Sequence, residues 1–351
     1  MANPIVDFFR FTGAFLKLKW IGWFSQPTPM AGGVLDEQIR LLLRIQELMG
    51  EKPLPGKTPA QAREHFNTLI PSLKSIGGLF EKVDSTRDLQ IPGPAGNIPA
   101  RLYQMAVDKP LPLMLYFHGG GWVIGNIDTA DNIARFICKR AGCHVLSIDY
   151  RLAPESPFPA AVEDSYAVLE WAHEHAAELG ADPARILAGG DSAGGNLTAV
   201  IAQLNAQKGK PALAGQVLFY AAVDGVHLDT PSYREFGGKA LGLPKVDIEW
   251  FLDQYAPNIS DRQDPRLSPL LKKDLRGLPP ALVVTAEFDV LRDEAEVYAE
   301  RLKDAGVPVT LMRCNGMNHG FLTTVGLIRR SEIYFDQIAE QIKKMAAEGG
   351  S

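Results

Sequence analysis

The sequence has few cysteines and no surplus of positive charge. Its 351 residues include only three cysteines, Cys138, Cys143 and Cys314, with neither a CxxC pair nor the Cys/His spacing of a structural zinc site. This set does not fit a disulfide framework, so we expect a cytoplasmic protein that binds no metal. Lys and Arg number 36 against 41 Asp and Glu, a net charge of -5. Nucleic-acid binding is not expected, because it depends on clustered positive charge.

Long uninterrupted hydrophobic runs are also missing. The N-terminal stretch from Pro4 to Phe24 is rich in aromatic residues, but Arg10, Lys17 and Lys19 interrupt it and no small-residue cleavage site follows. It therefore matches neither a signal peptide nor a membrane span. Two interpretations remain: packing over an apolar pocket, which we expect, or lying on a membrane surface as an interfacial helix.

Internal repeats, low-complexity tracts and flexible Gly/Ser linkers are absent, and from about Leu111 short β-rich runs alternate with longer helical patterns. This alternation predicts an α/β fold with a mostly parallel central sheet flanked by helices. The expected parallel strands are Leu113 to Phe117, His144 to Asp149, Arg185 to Ala188, Gln216 to Ala221, Ala281 to Thr285 and Val309 to Arg313. The expected helices are Thr129 to Arg140, Ala160 to Leu179, Asn196 to Gln207, Val290 to Ala305 and Leu327 to Ala346. An antiparallel hairpin, Thr86 to Ile91 with Ile98 to Met105, is expected at the first edge of the sheet.

Residues 1–85 show no strand pattern, and helices are predicted there at Leu35 to Met49 and Pro59 to Asn67. We interpret this part as an N-terminal helical cap segment. The remaining residues, 86–351, form the predicted catalytic domain, with a second helical cap insertion at about 229–255. Because no linker separates them, the two helical pieces are expected to form one cap. The last predicted strand, Val309 to Arg313, could pair across a two-fold axis and give a homodimer.

The segment Gly190-Asp191-Ser192-Ala193-Gly194 lies between a short apolar strand and a helix, the context in which a G-x-S-x-G motif indicates a nucleophilic serine. A strained strand-to-helix turn would expose the Ser192 hydroxyl, and small neighbours let other backbone approach. The alternative is an ordinary turn in which Asp191 or Ser192 caps the helix.

A second glycine-rich run, His118-Gly119-Gly120-Gly121-Trp122, follows the first parallel strand. It has neither the ending of a phosphate-binding P-loop nor the spacing of a dinucleotide site. Backbone N–H groups of Gly120 and Gly121, together with that of Ala193, are therefore the candidates for an oxyanion hole. The alternative is a flexible surface turn.

His319 follows the last predicted strand and is the best placed of the seven histidines to act as a general base at the carboxyl edge of the sheet. Asp289 follows the preceding strand and lies between Ser192 and His319 in the chain, the order found in hydrolases of this kind. Glu287 and Asp293 are alternatives for the acid, and Asp224 is a weaker one.

Several motifs in this order resemble the hormone-sensitive lipase family of esterases, bacterial family IV, within the α/β-hydrolase superfamily. They are the HGGGW run from His118, the GDSAG segment around Ser192, Asp149-Tyr150-Arg151-Leu152-Ala153-Pro154-Glu155, Asp289-Val290-Leu291-Arg292-Asp293 and Gly316-Met317-Asn318-His319-Gly320-Phe321. The resemblance implies a triad of Ser192, Asp289 and His319, an oxyanion hole at Gly120, Gly121 and Ala193, and the GDSAG subfamily. Val290 replaces a usual proline, and Asn318 stands where an apolar residue is frequent.

The predicted function is hydrolysis of carboxylic esters through an acyl-enzyme, without cofactor. The resemblance further implies short to medium acyl chains. Because imidazole must be neutral to act as a base, and its unperturbed pKa is about 6.5, activity should rise through neutral into mildly alkaline pH. An amidase, carbamate hydrolase or lactonase with the same triad stays open, as does a membrane-associated lipase. A non-catalytic small-molecule receptor is disfavoured, because such a protein would be expected to lose the triad histidine.

Overall fold

The central strands are apolar along their length because both faces of the sheet are covered. In the strand Leu111–Phe117 every residue is buried, and its side chains alternate between two hydrophobic cores. Leu113, Leu115 and Phe117 pack on one face, whereas Met114 and Tyr116 pack on the other. This two-sided burial is typical of parallel strands in α/β proteins and explains why such strands appear in the sequence as continuous hydrophobic runs.

The computed structural model describes residues 28–30, 33–48, 53–77, 81–210, 213–239 and 241–348. Its strands are β1 Thr28–Met30, β2 Gly33–Leu35, β3 Ser85–Gly93, β4 Gly96–Gln104, β5 Leu111–Phe117, β6 His144–Ile148, β7 Ala181–Asp191, β8 Gly215–Phe219, β9 Ala281–Phe288 and β10 Val309–Asn318. Its helices are α1 Glu37–Leu48, α2 Pro59–Gly77, α3 Ile127–Phe136, α4 Ala160–Glu174, α5 Ala193–Gln207, α6 Pro231–Phe236, α7 Lys245–Tyr255, α8 Arg292–Asp304 and α9 Arg329–Glu348.

Eight strands form one mixed sheet in the order β10-β9-β8-β7-β5-β6-β4-β3. Strands β5 to β10 run parallel, β4 pairs antiparallel with β6, and β3 completes the edge hairpin. The predicted α/β-hydrolase architecture is therefore confirmed, including the hairpin at one edge. Strand β10 is the other edge, and a homodimer through it stays a prediction.

The structure differs from the sequence-based expectation in several places. The short antiparallel pair β1–β2 lies within the N-terminal segment, where no strand was predicted. Helix α2 continues to Gly77 instead of ending at Asn67. The predicted helix Thr129 to Arg140 is instead α3 followed by a π-helical turn, Ile137–Gly142. Strand β7 is longer than predicted, and α4 ends at Glu174 rather than at Leu179.

The helices of the two predicted cap pieces line a common cavity. Leu42 and Leu69 come from α1 and α2, and Ile248 and Phe251 come from α7. The aromatic stretch before residue 28 lies outside the described residues, so its packing stays a prediction. Among the helices of the described ranges, none is both long and apolar enough to cross a bilayer.

Candidate active site

Ser192 lies on a strained turn between β7 and α5. Its backbone dihedrals are φ 55° and ψ -116°, a region that a non-glycine residue rarely occupies. The turn is held by Ser192 N–H, which donates to Phe219 O at 2.9 Å. A Cβ at Gly194 would lie 1.9 Å from Phe117 O, so no larger residue fits there. The sequence prediction of a strained strand-to-helix turn is thus met by the backbone.

The structure brings Ser192, His319 and Asp289 together from three loops at the carboxyl edge of the sheet. His319 Nε2 lies 3.0 Å from Ser192 Oγ, and His319 Nδ1 lies 2.8 Å from Asp289 Oδ2. Asp289 is 2% exposed, and its second oxygen accepts the N–H of Leu291 at 3.0 Å. The buried Tyr220 ring packs against the imidazole in a T-shaped arrangement, with the ring centroids 4.9 Å apart. The imidazole is therefore fixed in orientation between the hydroxyl and the carboxylate.

The three alternative acids are engaged elsewhere. Glu287 accepts the N–H of Gly316 at 2.7 Å. Asp293 accepts the N–H of Ser232 at 2.7 Å and also pairs with Arg292. Asp224 pairs with His227 at 2.7 Å. Of the four carboxylates considered from the sequence, Asp289 is the one that contacts His319.

The glycine run forms a tight loop beside Ser192. Gly120 and Gly121 have positive φ angles of 121° and 58°. A Cβ at Gly120 would lie 2.1 Å from Ile124 O, and a Cβ at Gly121 would lie 2.1 Å from the Phe251 ring. Gly120, Gly121 and Ala193 all line the same cavity as Ser192. Glycine is thus required at both loop positions by backbone conformation and by the close approach of neighbours.

Asp191 connects the serine turn to the glycine loop. Its Oδ1 accepts both the Tyr116 hydroxyl at 2.6 Å and the N–H of Gly119 at 2.8 Å. Burial raises the pKa of this carboxyl above its ordinary value, although the two donors act in the opposite direction. Tyr116 was predicted only as part of an apolar strand, because nothing in the sequence indicates that its hydroxyl meets Asp191.

His118 and Trp122 support the loop from its two ends. The His118 ring stacks on Tyr150 with centroids 4.4 Å apart and lies 2.8 Å from Gly119 O through Nδ1. Burial lowers the pKa of His118 to about 4, so this imidazole is neutral at physiological pH. Trp122 stacks on Tyr255 of α7, with centroids 4.6 Å apart. Through these contacts both residues shape the loop.

The cavity above Ser192 has a volume of about 270 Å³ and is mostly apolar. Residues of the glycine loop, α1, α2 and α7 line it, as do Ser192 and His319. Within the described residues, no group of three or more His, Cys, Asp or Glu side chains is arranged to hold a metal ion.

Known proteins share both sequence and fold with this chain. The alpha/beta hydrolase fold family matches residues 114–323. The carboxylic ester hydrolase LipN of Mycobacterium tuberculosis is 47% identical over 298 residues, covering 83% of this chain and 78% of that protein. An arylesterase of Saccharolobus solfataricus is 38% identical over 88% of this chain and 99% of its own length. The structure of a hyperthermophilic esterase from the archaeon Pyrobaculum calidifontis superposes with a TM-score of 0.85 at 39% identity, covering 89% and 99% of the two chains. The chain therefore belongs to the alpha/beta hydrolase fold family and is a carboxylic ester hydrolase.

Proposed function

We propose that this enzyme hydrolyses short- to medium-chain carboxylic esters through a Ser192–His319–Asp289 triad and an acyl-enzyme intermediate. The observation that carries the proposal is the pair of contacts made by His319, 3.0 Å to Ser192 Oγ and 2.8 Å to Asp289 Oδ2. These distances are those of hydrogen bonds, so the imidazole can accept the serine proton without rearrangement.

In the proposed reaction, His319 accepts the Ser192 proton while Oγ attacks the ester carbonyl carbon. The N–H groups of Gly120, Gly121 and Ala193 stabilise the oxyanion that forms. The imidazolium, stabilised by Asp289, then protonates the leaving alcohol and gives the acyl-enzyme. A water molecule, activated by His319 in the same way, releases the acid and restores the serine.

The size of the cavity supports the proposed preference for short and medium acyl chains. A volume of about 270 Å³ is small for a ligand site. The helices of residues 37–77 and 231–255, which we interpret as one cap, limit the length of an acyl chain above Ser192. Ile248 and Leu42 are among the apolar side chains that such a chain would contact.

The test is a series of 4-nitrophenyl esters of increasing acyl length, hydrolysed by the wild type and by Ser192→Ala. We expect kcat/KM to be highest for short or medium chains and Ser192→Ala to lose at least about four orders of magnitude in kcat. A fluorophosphonate should label the wild type and not the variant. Hydrolysis by Ser192→Ala at the wild-type rate would refute the mechanism, and faster cleavage of a matched amide would favour an amidase.

A further inference from the structure

Arg63 of helix α2 reaches from the N-terminal segment to two loops of the catalytic domain. Its Nε donates to Val123 O at 2.7 Å, and its Nη2 donates to Ala153 O at 2.7 Å. The side chain is 24% exposed, so these hydrogen bonds are largely shielded from water. A single guanidinium thus joins the end of the glycine run to the segment 149–155. The proposed reaction gives this segment no role.

Both acceptor residues are themselves bonded to the glycine loop. The N–H of Val123 donates to Gly120 O at 3.0 Å, and the N–H of Ala153 donates to Trp122 O at 2.9 Å. Arg63 therefore closes a hydrogen-bonded network around residues 120–123. The Gly120 carbonyl shares its peptide unit with the N–H of Gly121, so one of the proposed oxyanion donors lies directly in this network, and the N–H of Gly120 is on the preceding peptide unit.

Glu155 pairs with the guanidinium on its exposed side. Its two carboxylate oxygens lie 2.9 Å from Arg63 Nη1 and 2.5 Å from Arg63 Nη2. The Glu155 side chain is 64% exposed, and ion pairs at such positions contribute little to stability. The hydrogen bonds to the two carbonyl groups, rather than the ion pair, are therefore expected to hold the loop.

We propose that Arg63 is a positioning residue for the oxyanion hole, and that through it the N-terminal segment controls the geometry of the Gly120 and Gly121 N–H donors. The inference rests on the proposed function, since it assumes an oxyanion at these donors. Displacement of a donor by about 1 Å weakens stabilisation of the transition state more than binding of the substrate. The side chain of Arg63 affects the reaction without touching the substrate.

The experiment compares Arg63→Met and Arg63→Lys with Glu155→Gln and with Arg276→Met, a control at an exposed ion pair with Asp274. For each variant, kcat and KM are measured with 4-nitrophenyl butyrate. The inhibition constant is measured for an alkyl trifluoromethyl ketone, whose adduct with Ser192 carries an oxyanion. Thermal unfolding shows whether each variant is folded.

We expect Arg63→Met to lower kcat about 10- to 100-fold, to weaken the trifluoromethyl ketone by a similar factor and to change KM less than about threefold. Arg63→Lys should be intermediate, because an ammonium lacks the planar fork that reaches both carbonyl groups. Glu155→Gln and Arg276→Met should stay within about threefold of the wild type.

A rise in KM with unchanged kcat and unchanged ketone affinity would overturn the inference, because Arg63 would then only attach the helix. If Arg63→Met does not fold, Arg63→Lys decides by the same criteria. The outcome is separable from the proposed function: an inactive Ser192→Ala together with a fully active Arg63→Met refutes this inference alone.

Discussion

Replacement of Asp289 by asparagine tests how the imidazole is oriented. In the wild type, Asp289 Oδ2 lies 2.8 Å from His319 Nδ1, while Oδ1 accepts the N–H of Leu291. The Leu291 N–H requires an acceptor, so the amide oxygen of the introduced asparagine must take the position of Oδ1. The NH₂ group then points at His319 Nδ1. In this arrangement Nδ1 must accept a hydrogen bond, and the proton of the neutral imidazole moves to Nε2.

A proton on Nε2 faces Ser192 Oγ at 3.0 Å and prevents the imidazole from acting as a base. Loss of the carboxylate also removes the negative charge that stabilises the imidazolium. In a serine protease triad the same change costs about 10⁴ in kcat, which corresponds to about 5 kcal/mol of transition-state stabilisation. Because Asp289 is almost fully buried and also contacts Nδ1 of the imidazole, we expect a loss of about 10³ to 10⁴ here.

The assay is steady-state hydrolysis of 4-nitrophenyl butyrate by Asp289→Asn, with Asp293→Asn and Glu287→Gln as matched controls. The two control residues bind Ser232 N and Gly316 N instead of the imidazole, so their kcat should change by less than about fivefold. A decrease of less than tenfold for Asp289→Asn in a folded protein would contradict the assignment of the acid. A large decrease in kcat for Asp293→Asn, with none for Asp289→Asn, would assign the role of the triad acid to Asp293.

Three further predictions follow from the same loops. His118, with its pKa lowered to about 4 by burial, stays neutral in the folded protein while the unfolded chain takes up a proton below about pH 6.5. The contribution of the neutral imidazole to stability is therefore lost as the pH falls from 6.5 to 4. In urea unfolding, the free energy of unfolding of the wild type, relative to that of His118→Gln, should decrease by about 3 kcal/mol between pH 7 and pH 4. Gly121→Ala should lower kcat/KM at least about 100-fold, because its Cβ would lie 2.1 Å from the Phe251 ring. Adding Phe251→Ala to this variant should restore part of the activity, whereas full activity of Gly121→Ala alone would contradict the loop geometry. Asn318→Leu removes the hydrogen bond from Asn318 Nδ2 to Leu241 O at 3.0 Å and should decrease the free energy of unfolding by about 1–3 kcal/mol. An unchanged urea midpoint would show that this contact is not formed.

The sequence predicts the sheet and the chemical groups of the site, because both have local signatures. Apolar runs such as Leu113 to Phe117 indicate buried strands, and the glycines around Ser192 and Gly120 indicate crowded turns. The acid could not be chosen in the same way, since Glu287, Asp289 and Asp293 lie within seven positions of one another. Their partners Gly316, His319 and Ser232 are distant in sequence, so only the tertiary structure separates their roles.

Other features have no local signature. Strands β1 and β2 are three residues each, too short for an alternating pattern. Pro71 ordinarily disfavours a helix interior, yet α2 continues through it to Gly77. Arg63 appears in the sequence as one more polar residue of a helix, and its role depends on two carbonyl groups from other loops. A sequence pattern does not predict which backbone groups a side chain contacts when those groups are distant in the chain.

Gly209, Gly277 and Gly306 lie in turns that precede β8, β9 and β10, each with positive φ, and within the described residues no atom beyond their chain neighbours lies within 4 Å of the position that a Cβ would occupy. They lie at the amino ends of the strands, on the side of the sheet remote from the nucleophile. Attachment to a solid support or fusion to another domain through these turns would therefore leave the mouth of the cavity open to solution. Because the catalytic loops follow the carboxyl ends of the strands and these turns precede the amino ends, the enzyme is suitable for oriented immobilisation.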